Sequence, residues 1–293
     1  MTLCLAWKQG DSINFASDSR LTESDKTVLT NYASKIFKIN VEIYENLPEI
    51  FSGEPERSLH QTTYGLCFTG SYLNGSLLAD TIDNFLSNIL IGGQSDISID
   101  SLSNIAFAIY KQVNTQLLVI HGDKKLSEVL FGGYCLKTNE FKLYKFSPKE
   151  RVQNQSVEFQ KEEIRLDNQT ILIGDNNAKQ KAEELLKNVN VDYTHYHVLR
   201  DIINDKELLT VGGNIQVGQF KPNKFKIHGI SEPKLIDSTD GSSEVVDVYK
   251  LSGLELDLGN ADSELFSGKI NTYEAFISPF QKEKMELVKR QIQ

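Results

Sequence analysis

A threonine follows the start methionine, and threonine is a residue that can act as a nucleophile. The sequence begins MTLCLAW, so Thr2 becomes the first residue once Met1 is removed. A threonine hydroxyl needs a base to react, and a threonine at the N-terminus carries one in its own α-amino group. That amine has a pKa of ~7.7–8.0 in model compounds, so a substantial fraction is neutral at cellular pH. Thr2 is therefore a candidate nucleophile that would carry its own base.

Such a nucleophile needs three further groups, and the sequence offers a candidate for each. A nearby ammonium would lower the pKa of the terminal amine, and Lys35 in SKIFKI begins the third predicted strand. Asp18 and Arg20 in ASDSR end the second predicted strand, where they could hold that lysine. The stretch FTGS ends a later strand and can present the Gly70 N–H to an oxyanion.

These residues lie at the ends of predicted strands. Short apolar or alternating segments indicate successive strands of an antiparallel sheet, namely TLCLAW, SINFASDS, SKIFKI and YGLCFTG. Residues 40–63 are rich in acids and hold two of the six prolines, so they predict an inserted surface loop.

Helices are predicted to cover the sheets. Residues 77–89 and 102–117 each carry apolar side chains at helical spacing. More strands are predicted in SEVLFGGYCL, EFKLYKF, VEFQKEEIRL and TILIG, followed by a third helix with Asp175 or Asn176 as its N-cap. A fourth helix over about 196–208 precedes strands in GGNIQVGQF and KFKIHGI. This order indicates an α+β domain of stacked sheets with helices on the outer faces.

The chain is predicted to divide into a main domain and a tail. Residues 1–232 contain all of the segments above. Residues 233–293 are expected to form a C-terminal extension packed on that domain, with a strand segment in VVDVYKLSGLELDL and a closing helix after Pro279.

The spacing of these segments resembles proteasome β-type subunits and their bacterial relatives, the N-terminal-nucleophile (Ntn) hydrolases that include the Anbu proteins. The stretches TLCLAW, FASDSR, SKIFKI and GLCFTGS match in order, and VLFGGY, ILIGDNNA and TVGGNIQVG agree further along. TVGG is closer to the Anbu branch. The resemblance covers residues 2 to about 230 and implies a four-layer αββα sandwich, a homo-oligomer in a ring or helical array, and a threonine peptidase that acts on peptide or protein substrates without a cofactor.

The resemblance also implies a role for each candidate residue. Thr2 would attack the amide and form an acyl-enzyme, and Lys35 would tune the α-amine. Asp18 would pair with Lys35, and Arg20 would brace that corner. The Gly70 N–H would stabilise the tetrahedral oxyanion, and removing such a donor typically costs ~2.7–4 kcal/mol of transition-state stabilisation.

Three positions depart from the family pattern and keep two alternatives open. Asp175 follows Gly174, where family members often have serine, and Leu208 and Val211 stand where an aspartate and a serine usually hold the terminal amine. One alternative is an inactive homologue that serves as a scaffold or binding subunit. The other is an amidase for small molecules, since the same nucleophile serves many amides.

Composition excludes several other classes of protein. A net charge of −9 and a pI near 5.2, without a compact basic stripe, argue against nucleic acid and anionic membranes as partners. The three cysteines lie in apolar runs without C-x-x-C spacing, which indicates reduced core residues and a cytoplasmic protein. No leader or membrane span is recognisable. His195 and His197 form an H-x-H pair without a third ligand, so surface histidines are expected and no metal site.

Overall fold

The computed structural model describes residues 2–10, 12–23, 26–45, 58–91, 96–121, 126–149, 157–166, 169–188, 194–222, 224–237, 243–256 and 276–292. The first strands in chain order are β1 (Leu3–Gln9), β2 (Ser12–Ser17), β3 (Leu21–Thr22), β4 (Val28–Thr30), β5 (Ile36–Glu45), β6 (Ser58–Thr69), β7 (Ile89–Ile91), β8 (Glu128–Cys135) and β9 (Glu140–Pro148). The later strands are β10 (Phe159–Ile164), β11 (Ile171–Gly174), β12 (Gln216–Lys221), β13 (Lys224–Asp237), β14 (Ser243–Leu251), β15 (Leu254–Leu256) and β16 (Phe276–Ile277). The helices are α1 (Tyr72–Leu86), α2 (Ile99–His121), α3 (Asn176–Asn188), α4 (Thr194–Ile203) and α5 (Gln281–Ile292).

Most of the strands belong to two large sheets. The first sheet has the order β11-β1-β2-β12-β13-β14-β15, with β16 beside β13. The second has the order β10-β9-β8-β6-β5-β7. Neighbouring strands run antiparallel except where β7 lies beside β5 and β16 beside β13. Strands β3 and β4 form a separate small hairpin.

Three hydrophobic cores separate four layers. One core packs α1 and α2 against the second sheet, with Leu78 and Tyr110 among its buried members. Another packs α3 and α4 against the first sheet and includes Leu199. The third lies between the two sheets and includes Cys67 and Phe225. This sequence of helices, sheet, sheet and helices confirms the predicted αββα sandwich.

Strand β1 shows how the sequence fits this arrangement. Its side chains alternate, as they do in any strand. Leu3 and Leu5 pack into the core beneath α3 and α4, whereas Cys4 and Ala6 pack between the sheets. Strand β1 is also paired on both edges, with β2 and with β11. Both faces and both edges are therefore covered, which fixes the position of the residue before it, Thr2.

Polar side chains cap the starts of α1 and α3, whereas the predicted bounds of α1 and α4 differ from the observed ones. Ser71 caps α1 by accepting from the Asn74 N–H, although the apolar pattern had placed the helix at 77–89. Asp175, one of the two predicted caps, accepts from the N–H groups of Asn177 and Ala178 at 3.0 and 3.2 Å and begins α3. The fourth helix ends at Ile203, earlier than the predicted residue 208.

The loop predicted over residues 40–63 is wrong at both of its ends. Residues 40–45 continue β5 and residues 58–63 begin β6, and the two segments pair, with Asn40 opposite Thr63 and Ile43 opposite His60. Residues 46–57 lie outside the described residues. The apolar side chains Val41 and Ile43 are fully buried against the helices, which explains why this acid-rich stretch forms strand.

The tail continues the first sheet. Strand β13 runs through the expected domain boundary at residue 232, and β14 and β15 add to its outer side. Helix α5 follows Pro279 and Phe280, and Phe280 is buried in the same core as α4. Within the ranges given above, no helix is long and apolar enough to cross a membrane.

Candidate active site

Thr2 lies immediately before β1 and is 4% exposed. Its carbonyl oxygen accepts from the Asp175 N–H at 2.9 Å. The N–H of the next residue, Leu3, donates to Asp18 Oδ1 at 3.0 Å. The backbone on the C-terminal side of Thr2 is therefore held from β11 on one side and from the end of β2 on the other.

Asp18 and Lys35 form a buried ion pair close to Thr2. Lys35 Nζ lies 3.0 Å from Asp18 Oδ2, and the two side chains are 2% and 0% exposed. The same carboxylate oxygen accepts from the N–H groups of Arg20 and Gly212, each at 3.1 Å. Because Asp18 Oδ1 binds the Leu3 N–H, one carboxylate joins the residue after Thr2 to the lysine ammonium.

Arg20 braces this corner in two ways. Its carbonyl oxygen accepts a hydrogen bond from Lys35 Nζ at 2.6 Å, so the ammonium is held by Arg20 as well as by Asp18. Its guanidinium donates to Asn31 Oδ1 at 3.0 Å and to the carbonyls of Leu209 and Val211 at 3.2 and 3.3 Å. Arg20 thus ties the β3–β4 hairpin region to the segment that follows α4.

Gly70 directly follows β6 of the second sheet. Two residues earlier, the Phe68 N–H donates to the Lys35 carbonyl at 3.2 Å, so the end of β6 is anchored beside the lysine. Gly70 has a φ of +99°, and a Cβ at this position would lie 2.3 Å from the Leu126 carbonyl oxygen. Only glycine fits this turn without strain. Thr2, Asp18, Arg20 and Lys35 are linked by the contacts above, and Gly70 lies two residues beyond the β6 residue that binds the Lys35 carbonyl.

Sequence reasoning missed a second polar pair beside Thr2. Thr210 Oγ1 donates to Asp175 Oδ2 at 2.9 Å, and both residues are less than 10% exposed. The Asp175 N–H is the donor that holds the Thr2 carbonyl. No local spacing in the sequence links residues 175 and 210.

Gln216, at the start of β12, is a further residue of this corner that the sequence did not indicate. Its Oε1 accepts from the Lys35 N–H at 2.8 Å, and its Nε2 donates to the Ala33 carbonyl at 2.6 Å. This buried amide holds the backbone on both sides of Ser34, immediately before β5 begins at Ile36.

His195 and His197, the H-x-H pair, lie on α4 and contact residues outside this corner. The ring of His195 stacks on Trp7 with centroids 4.3 Å apart, and its Nε2 lies 2.7 Å from Thr170 Oγ1. Burial lowers the pKa of His195 to about 4. His195 is thus a packed residue and not the surface residue that was expected. Among the described residues, no three His, Cys, Asp or Glu side chains are grouped to hold a metal.

Similarity to known proteins is found at the level of structure. No family model matches the chain, and no curated protein matches it. The structure is similar to that of Anbu (ancestral beta-subunit) from Yersinia bercovieri, with a TM-score of 0.51 and 13% identity over 77% of this chain and 82% of that one. It is similar to an Anbu (Gly-1) mutant from Hyphomicrobium sp. strain MC1, with a TM-score of 0.51 and 11% identity over 84% and 87% of the two chains.

A third similar structure is the helical assembly of the Anbu complex from Pseudomonas aeruginosa. Its TM-score is 0.53 at 13% identity, over 78% of this chain and 86% of that one. The four layers of the sandwich agree with these similarities. The chain therefore has the proteasome-related fold of the Anbu proteins.

Proposed function

We propose that this chain is a threonine-type N-terminal-nucleophile hydrolase that cleaves peptide bonds through an acyl-enzyme on Thr2. The observation that carries the proposal is the Asp18 carboxylate, which binds both the Leu3 N–H and the buried Lys35 ammonium. A buried cation linked through one carboxylate to the residue beside a threonine is the environment that this chemistry requires.

The reaction begins with the removal of Met1, which frees the α-amine of Thr2. The amine takes the proton from Thr2 Oγ as the oxygen attacks the substrate carbonyl carbon. The Gly70 N–H stabilises the oxyanion of the tetrahedral intermediate. The amine then passes its proton to the leaving nitrogen as the carbon–nitrogen bond breaks. In the second half of the reaction, the amine takes a proton from a water molecule as that water attacks the acyl-enzyme carbonyl. The proton then passes to Thr2 Oγ as the ester bond breaks and the acid product leaves.

Lys35 keeps the amine available as a base. A positive charge nearby disfavours the protonated form of an amine and lowers its pKa. Asp18 and the Arg20 carbonyl fix the Lys35 ammonium from two sides at 3.0 and 2.6 Å. Since Asp18 also holds the Leu3 N–H, the distance between the cation and the N-terminal residue is set by one rigid group.

The same proposal includes a homo-oligomer in a reducing, cytoplasmic setting. The similar Pseudomonas aeruginosa structure is a helical assembly, which supports self-association of this chain. Cys4, Cys67 and Cys135 are buried free thiols, which fits a reducing compartment. Residues 233–293 act as a C-terminal extension of the hydrolase domain.

The nucleophile is tested by mass and by covalent labelling. Protein purified from its host is expected to lack Met1 in an intact-mass measurement and to gain one adduct with an electrophilic threonine probe. Thr2→Ala is expected to abolish the adduct. Thr81→Ala, on helix α1, is the matched control and should label like wild type. Retention of Met1, or equal labelling of Thr2→Ala and wild type, contradicts the proposal.

A scaffold function is the second candidate, and one observation favours it. Leu208 and Val211 are apolar, and Val211 is fully buried, where the family pattern has residues that hold the terminal amine. A scaffold would show no adduct and no turnover of a peptide library or of small amides. Turnover of small amides alone would favour the amidase.

A further inference from the structure

The turn between β14 and β15 lies beside the corner that holds Asp18, Arg20 and Lys35, which we call the catalytic corner. Ser252 and Gly253 have φ values of +49° and +90°, the left-handed pair that a tight hairpin turn requires. Such a turn is normally exposed at the edge of a protein. Here Gly253 is buried, and a Cβ placed on it would lie 2.6 Å from Ser19 Cβ.

Two side chains of the main domain bind the carbonyl oxygens of this turn. Asn214 Nδ2 donates to the Gly253 carbonyl at 2.7 Å, and Gln216 Nε2 donates to the Ser252 carbonyl at 3.3 Å. Asn214 also donates its N–H to Ser19 Oγ at 2.7 Å. Each of the two turn residues therefore accepts a hydrogen bond from a side chain of the main domain.

Ser19 and Gln216, two of the three residues that the turn contacts, adjoin the proposed catalytic residues. Ser19 stands between Asp18 and Arg20, and its N–H donates to the Gly212 carbonyl at 3.1 Å. Gln216 holds the Lys35 N–H at 2.8 Å with its other amide atom. One hairpin tip thus touches the supports of both partners in the Asp18–Lys35 ion pair.

We propose that the Ser252–Gly253 turn of the C-terminal extension is a positioning element of the catalytic corner, which sets the place of Lys35 and of the Asp18–Arg20 segment through Gln216, Asn214 and Ser19. This inference rests on the proposed function. The C-terminal extension then supports the active site of the same chain.

Two glycine substitutions separate this role from a general effect on stability. Gly253→Ala introduces a methyl group against Ser19. Gly10→Ala is the matched control, because Gly10 also has a positive φ, of +57°, but has nothing within 4 Å of its Cβ position and lies in the turn at the far end of β1. Asn214→Asp is a second test variant, which removes the donor to the Gly253 carbonyl and keeps the N–H that binds Ser19.

The first readout is the rate at which the electrophilic probe acylates Thr2 as a function of pH. We expect Gly253→Ala and Asn214→Asp to slow acylation about tenfold, since displacements below 1 Å can have effects of this size. We also expect the pH midpoint of acylation to rise, because a displaced Lys35 ammonium lowers the pKa of the amine less. Gly10→Ala is expected to match wild type in both.

The second readout does not depend on activity. Hydrogen exchange at the Lys35 amide, which donates to Gln216, is expected to be faster in both test variants than in Gly10→Ala. This measurement tests the positioning role even if the chain never acylates. Failure of the positioning inference can therefore be distinguished from failure of the proposed function. Equal Lys35 exchange in folded Gly253→Ala and Gly10→Ala overturns the inference, and so do equal acylation rates and midpoints in a chain that does acylate.

Discussion

Asp18 is fully buried, and its carboxylate gathers groups from four segments of the chain. Its two oxygens face the N–H groups of Leu3, Arg20 and Gly212 and the ammonium of Lys35. Buried charges are tolerated when they are both paired and hydrogen-bonded. The corner is therefore one polar unit, in which each group offsets the desolvation cost of burying the others.

Replacing Asp18 should expose this dependence. We expect Asp18→Asn to lower the free energy of unfolding by about 3–5 kcal/mol, because Lys35 is left as a buried cation without its counter-charge. Glu158→Gln breaks the exposed ion pair with Lys149 and should leave stability close to that of wild type. Denaturant unfolding of the two variants measures both values. A small and equal loss in both would contradict the view of the corner as one unit.

Sequence reasoning found the residues whose positions follow from strand ends and missed those that meet across long separations. Asp18, Lys35 and Gly70 each begin or end a predicted strand. Lys35 and Gly70 come together because β5 pairs with β6, and the stacking of the two sheets brings Asp18, at the end of β2, to Lys35. Gln216 binds Lys35 across 181 positions of the chain, and Thr210 binds Asp175 across 35. No local pattern marks such contacts, because only the packed layers bring them together.

At the scale of elements, helix α5 and the residue before it contact α4 through a small cluster of side chains. The Arg200 guanidinium lies over the Phe280 ring, 4.0 Å from its centroid. The same guanidinium donates to both Glu283 oxygens, at 2.8 and 2.6 Å. The ring of His197 meets Phe280 edge-on with centroids 4.9 Å apart. Phe280 is thus the apolar centre and Glu283 the polar rim of the contact.

Removing that centre should loosen the end of the chain. Phe280→Ala is expected to cost about 3–5 kcal/mol of unfolding free energy, as for other buried aromatic residues. Faster hydrogen exchange in α5 than in α3 should accompany it. Met285→Ala, at an α5 position that is 60% exposed, is the matched control and should change stability by less than about 0.5 kcal/mol. Unchanged exchange in α5 of Phe280→Ala would show that other contacts hold the helix.

The missed part of β5 shows which element signals are weak in a sequence. The segment NVEIYE alternates, with Val41 and Ile43 buried and Glu42 between them, which is the period of a strand. Acids and the prolines that follow favoured a loop. The strand forms because its partner, SLHQTT, is supplied by the far side of the same segment and closes a hairpin.

At the scale of the whole molecule, the order of strands and helices was enough to predict the layers. Segregated helix pairs between groups of strands can bury their apolar faces only on the two outer sides of stacked sheets. The placement of the tail did not follow from that order. Strands β14 and β15 extend the first sheet, and the turn between them contacts Asn214 and Gln216 beside the Asp18–Lys35 ion pair.

The contact between β1 and α4 should make the stability of the whole molecule sensitive to acid. His195 is held neutral between Trp7 and Thr170, and burial lowers its pKa from 6.5 to about 4. Below pH 6.5 the unfolded chain binds a proton at this site that the folded chain does not. The stability that His195 provides is therefore complete above pH 6.5 and is lost as the pH falls toward 4.

The size of the effect follows from the shift in pKa. Over that window it amounts to roughly 3 kcal/mol, at 1.36 kcal/mol for each pKa unit. We expect His195→Gln, which does not titrate, to show a shallower fall of unfolding free energy between pH 6.5 and 4 than wild type. His197→Gln should change the slope less, because His197 is more exposed, and Glu283 and Asp201 oppose the lowering of its pKa by burial and by Arg200. Parallel curves for wild type and His195→Gln would mean that the protonated ring is accommodated in the folded protein and that the acid sensitivity arises elsewhere.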